Sequence, residues 1–107
     1  MRNDEEIRKD IQQIKLLIER LRSMREREIV MTRMGRMPNH GEIREMNDLS
    51  ASIEASIKRN TTIINFSTRK IFEALKSSYE MNMKSWENRK KFALQAFERD
   101  MKKKVES

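Results

Sequence analysis

Few side chains in this sequence could do covalent or acid-base chemistry. His40 is the only histidine, and it stands between Asn39 and Gly41 just after Pro38, a setting that suits a turn or a helix start better than metal ligation or proton transfer. Cysteine is absent, which removes thiolate metal sites, disulfides and cysteine nucleophiles together and suits a reducing compartment. No Glu-x-x-His pair is present to build a carboxylate-bridged metal centre of the kind helical bundles carry. With only two glycines there is no phosphate-cradling loop, and no nucleophile stands near a base. The expectation is a non-enzymatic protein with no catalytic residue, no metal, no cofactor and no small-molecule substrate.

Binding chemistry is better represented. The runs Arg89-Lys90-Lys91 and Lys102-Lys103-Lys104 could hold phosphates, with an affinity that is electrostatic, salt-sensitive and poor in sequence specificity. Nucleic acid is the leading partner for such a surface and an acidic membrane face the next. The plainer reading is a pair of solvated helix faces, since Glu87, Glu98 and Asp100 are interspersed. Net charge is +7 and unevenly spread: from Arg69 onward there are 11 basic and 6 acidic residues, against 9 and 7 between Met1 and Met34. Any electrostatic partner is therefore expected at the carboxyl end. No basic-region zipper, zinc module or helix-turn-helix spacing accompanies these runs. Tyr79 and Trp86 could stack on bases, but both keep hydrophobic rows and read as core or interface.

The elements that must carry these groups are helices. Charged residues make up 38% of the chain and apolar ones 36%, too little for a thick monomeric core, so extended helices fit best. Both glycines and the single proline fall between Gly35 and Gly41. Helix 1 is expected over about 4–34, opened by an Asn3/Glu6 capping box and closed at Gly35. Its inner stripe is Ile7, Ile11, Ile14, Ile18 and Leu21, stepping by four and three along one face. The turn is residues 35–41, with Asn39 and Glu42 repeating the capping-box spacing. Helix 2 is expected to run unbroken over about 42–104, a rod of roughly 90 Å beside a first helix of roughly 45 Å. An amino end reading Met1-Arg2-Asn3-Asp4 lacks the apolar core of a secretion signal, and no apolar run is long enough to span a bilayer.

Within that second helix Ile53, Ile64, Leu75, Trp86 and Phe97 recur every eleven residues, with Met46, Ile57, Thr68, Tyr79, Lys90 and Met101 as a weaker row. An eleven-residue repeat favours nearly straight packing. Asn60 and Asn82 share a row with Leu49, Ile71 and Ala93, placing them on the seam, where a buried Asn fixes register, or at its margin in water. Because the first helix is too short to cover the aromatic far half of the second, another chain is expected to do so.

The fold class expected is all-α: a helical hairpin with one short and one very long helix, coiled-coil-like, assembling into an intermolecular bundle. Its interface would use Ile53, Ile57, Ile64, Ile71, Phe72, Leu75, Tyr79, Met83, Trp86, Ala93, Phe97 and Met101. The partner would be a second copy, as an antiparallel homodimer or a tetramer, or another coiled-coil subunit. The function expected is that of a structural or scaffold protein inside the cell, cytoplasmic or nuclear, with non-specific nucleic-acid binding through the carboxyl-terminal basic runs as the alternative.

Overall fold

The structure is a computed structural model that describes residues 2–106. It is helical throughout, with α1 over Asp4–Arg33, α2 over His40–Arg59 and α3 over Phe66–Glu106. No strand occurs among the described residues.

α1 forms where its local chemistry places it. Asn3 accepts the Glu6 backbone N–H at 2.8 Å, and the Asn3 amide donates to the Glu6 carboxylate at 3.0 Å. Asn39 and Glu42 repeat this pair at the start of α2 with the same two distances. In both caps the glutamate is held by the asparagine side chain, not by the backbone amide that a capping box normally uses. α1 ends in a Schellman turn: the Arg36 N–H reaches the Met31 carbonyl at 2.8 Å and the Gly35 N–H reaches Thr32 at 3.0 Å. That closure needs a left-handed residue, and Gly35 supplies it with φ of 76°.

The expected unbroken second helix is instead two helices. Asn60 is the C-cap of α2, its N–H falling on the Ile57 carbonyl at 3.2 Å. Thr61, Thr62, Ile63 and Ile64 follow, four β-branched residues with poor helix propensity. Ile63 is 5% exposed and ties the connection into the core, while Ile64 beside it is 73% exposed. Asn65 then caps α3, its side-chain oxygen accepting the Thr68 N–H at 3.0 Å. Two asparagine caps around a buried isoleucine thus break a stretch that contains no glycine or proline.

The break reverses the chain, so α3 runs parallel to α1 and covers it end to end. Thr68 Oγ1 donates to Asp4 at 2.6 Å, Arg89 grips Glu26 at 2.5 and 2.7 Å, and Arg33 meets Asp100 at 2.8 Å. α2 runs antiparallel to α1, joined by Arg20 to Glu45 and by Arg27 to Glu42 at 3.7 Å. The rod measures 64 × 25 × 16 Å.

Burial follows a seven-residue repeat in every helix. On α1 it takes Ile7, Ile14, Leu21 and Glu28 with Ile11, Ile18 and Thr32; on α2 Met46 and Ile53 with Leu49 and Ser56; on α3 Phe72, Tyr79, Trp86 and Ala93. This is coiled-coil spacing. The eleven-residue row does not describe one face, because it crosses the break and includes the exposed Ile64. The far half of the expected long helix is covered by α1 of the same chain. With each buried aliphatic or aromatic side chain contributing about 1.5–3 kcal/mol, that stripe is the main reason α3 folds back.

Candidate functional site

α1 is the spine of the bundle. α2 and α3 each pack along it and barely touch one another. Between them lies a groove of about 420 Å³. Its lining includes Ile57 and Ile63 from the α2 side and Phe72 and Tyr79 from α3. Glu54 and Lys58, one helical turn apart, also line it from α2, and Arg69, Glu73, Lys76 and Glu80 line it from α3. These last four alternate in sign at spacings of four, three and four residues, so they share one edge of the helix.

Some of the chain's charges are paired across helices, as in Arg89 with Glu26 and Lys90 with the buried Glu28 at 3.3 Å. Lys58, Glu73, Lys76 and Glu80 form no hydrogen bond or ion pair with another described residue. Arg69 lies over the exposed Phe66 ring, 5.6 Å from its centre. The apolar lining is anchored by Tyr79, whose hydroxyl donates to Glu54 at 3.4 Å. Burial is the main cause that raises the Tyr79 pKa, and the nearby Glu54 charge adds to it, so the phenol stays protonated.

One end of the groove is polar. Asn60, 1% exposed, donates to the Asp10 carboxylate at 3.0 Å and to the Ser56 carbonyl at 2.7 Å, while its side-chain oxygen has no partner. Asn60 is therefore on the seam, binding the end of α2 to α1 within the chain. Asn82 is half-buried with its amide nitrogen unpartnered.

The residues expected to face another chain divide three ways. Ile53, Phe72, Tyr79, Trp86 and Ala93 lie in the chain's own core. Ile57, Leu75, Met83 and Phe97 are half-buried. Ile64, Ile71 and Met101 are exposed. Ile7, Ile11, Ile14, Ile18 and Leu21 are all buried, as the inner stripe of α1 requires. Of the first basic run, Arg89 and Lys90 are engaged by α1 carboxylates, which leaves Lys91 at the surface. Lys102, Lys103 and Lys104 also lie at the surface, on the last turns of α3. His40 is exposed at the first position of α2. No cluster of three or more potential metal ligands occurs among the described residues, and none of their helices is long and apolar enough to cross a membrane.

The groove is absent from the pattern the hydrophobic rows imply; its trace in the sequence is the alternating charges of Arg69, Glu73, Lys76 and Glu80, which mark a helix edge beside an apolar stripe. Comparison of the chain with known protein families, curated proteins and solved structures finds no match.

Proposed function

We propose that this chain is a non-enzymatic helical assembly module that receives an amphipathic helix of another coiled-coil polypeptide in the groove between α2 and α3. The observation that carries the reading is the groove's cross-section: an apolar lining edged on α3 by charges of alternating sign at helical spacing. This is the pattern of a coiled-coil seam, in which apolar knobs fill the centre and flanking charges choose the partner and its direction. A fourth helix there completes a bundle whose third side is open. The incoming helix carries an apolar stripe at seven-residue spacing, with basic side chains opposite Glu73 and Glu80 and acidic ones opposite Arg69 and Lys76.

The arm-length argument for an antiparallel homodimer does not apply, because α1 covers the aromatic half of α3. Nucleic-acid binding retains only Lys91 and the terminal lysines in its favour, so the groove is the better supported site.

A photo-crosslinking amino acid at Lys76, compared with one at the exposed Gln12, tests the reading in the native cell. The expected result is a product specific to Lys76 whose crosslinked segment is a heptad-patterned helix, lost when Glu73→Lys and Glu80→Lys are combined. Identical products from both positions, or a non-helical segment at Lys76, would overturn it.

A further inference from the structure

The connection between α2 and α3 carries a second feature beside the groove. Thr61 and Thr62 are exposed there, in one of the two irregular stretches that join the helices. The run Lys58-Arg59-Asn60-Thr61 sets two cations three and two residues before the Thr61 hydroxyl. Basophilic protein kinases select that charge pattern, because acidic side chains in their clefts take up the preceding cations.

Beside the connection is a second cleft, of about 360 Å³, lined by Arg2, Glu6, Arg59, Thr61 and Thr62. Two guanidinium groups converge here on one carboxylate: Arg2 holds Asp10 at 2.9 Å and Arg59 holds it at 3.6 Å. Their donor capacity is not used up, since Arg2 Nε is buried without a partner. Glu6 is turned to its own cap, accepting from the Asn3 amide at 3.0 Å. Arg59 also donates to the Ser56 hydroxyl at 3.1 Å, so Thr61 lines a cleft that holds two arginines and one unpartnered N–H, on Arg2. Planar guanidinium forks match phosphate oxygens better than any other side chain.

We infer that Thr61 is a phosphorylation site whose phosphate is clasped by Arg2 and Arg59. In the transfer, the Thr61 hydroxyl oxygen attacks the γ-phosphorus of a nucleoside triphosphate bound by the kinase. The bond to the β-phosphate oxygen breaks, the nucleoside diphosphate leaves, and the hydroxyl proton passes to the kinase's base. The product adds about −1.5 to −2 charge and three strong acceptors beside the arginines, tying the segment before α1 to the connection after α2. Thr61 also lines the end of the α2–α3 groove, so the modification changes the charge an incoming helix meets there. The assignment itself does not depend on what fills that groove.

The full chain, incubated with cyclic-AMP-dependent protein kinase and Mg-ATP, gives the test. Fragment masses are expected to place the phosphate on Thr61, with Thr61→Val keeping its helical circular dichroism and losing the label. Phosphorus NMR then reads the clasp: the second ionisation of the phosphate is expected below its usual pKa of about 6 and to return there in Arg2→Ala. Absence of label at Thr61, label confined to another hydroxyl, or an ionisation unmoved in the unsubstituted chain each overturns the inference.

Discussion

The ring of Phe97 occupies the space that a Cβ on Gly35 would need, so α3 closes over the Schellman turn that ends α1. Gly35 thus meets two demands at once, a left-handed backbone and contact with an aromatic ring. Gly35→Ala is expected to cost at least about 1–2 kcal/mol from backbone conformation alone, with displacement of Phe97 added to that. Gly41→Ala, at a backbone of ordinary sign and with its nearest contact the Asn39 side-chain oxygen at 3.3 Å, is the control and is expected to change stability less. Urea unfolding of the two variants checks the contrast.

Ile63 and Ile64 are chemically identical neighbours with opposite environments. Ile63→Ala is expected to destabilise by about 2–5 kcal/mol, as buried aliphatic truncations do. Ile64→Ala is expected to stay within about 0.5 kcal/mol. Equal losses would show that the connection is not folded into the core as described.

Acid should weaken the seam between α1 and α3 in a defined direction. The Arg89 guanidinium holds the Glu26 carboxyl below its ordinary value near 4.5, chiefly through their hydrogen bonds. The Thr68 hydroxyl does the same for Asp4, and Arg33 for Asp100, both from an ordinary value near 3.8. A carboxyl lowered on folding contributes stability that is fully present above its unfolded value and lost as pH falls through its folded value. The urea midpoint is therefore expected to be flat above pH of about 5 and to fall below about 4.5, more steeply at low salt. In Arg89→Gln the part due to Glu26 should disappear from that limb. These pairs lie near the surface, so the effect is modest.

Reversing the groove rim separates folding from recognition. Glu73→Lys combined with Glu80→Lys is expected to leave the urea midpoint within the range of about 0.5 kcal/mol typical of surface changes. Neither carboxylate is used by the fold, so any larger loss of stability would mean that the rim serves the chain's own structure.

What local chemistry controls was readable in advance. The bounds of α1, the caps at Asn3 and Asn39 and the closure at Gly35 follow from neighbours within four residues. The break after Asn60 was not readable, because Thr61, Thr62, Ile63 and Ile64 have poor helix propensity but do not forbid a helix. The Asn65 cap on the Thr68 N–H is local and equally legible, but the break is decided by the burial of Ile63, which requires α1 to be in place. Without that break Phe72, Tyr79 and Trp86 would stand on a surface awaiting another chain; with it they are buried in the chain's own core. The groove was hidden for the same reason, since it exists only where α2 and α3 part around α1.

The contacts that zip α3 to α1 join residues between 62 and 67 positions apart: Glu28 to Lys90, Glu26 to Arg89, Asp4 to Thr68 and Arg33 to Asp100. Contacts of such sequence separation require the largest loop to close before they are gained. During synthesis the α1–α2 hairpin emerges first, with its isoleucine stripe still bare on the side that α3 will cover. A chain that lacks α3 is therefore a sticky hairpin in place of a shorter rod.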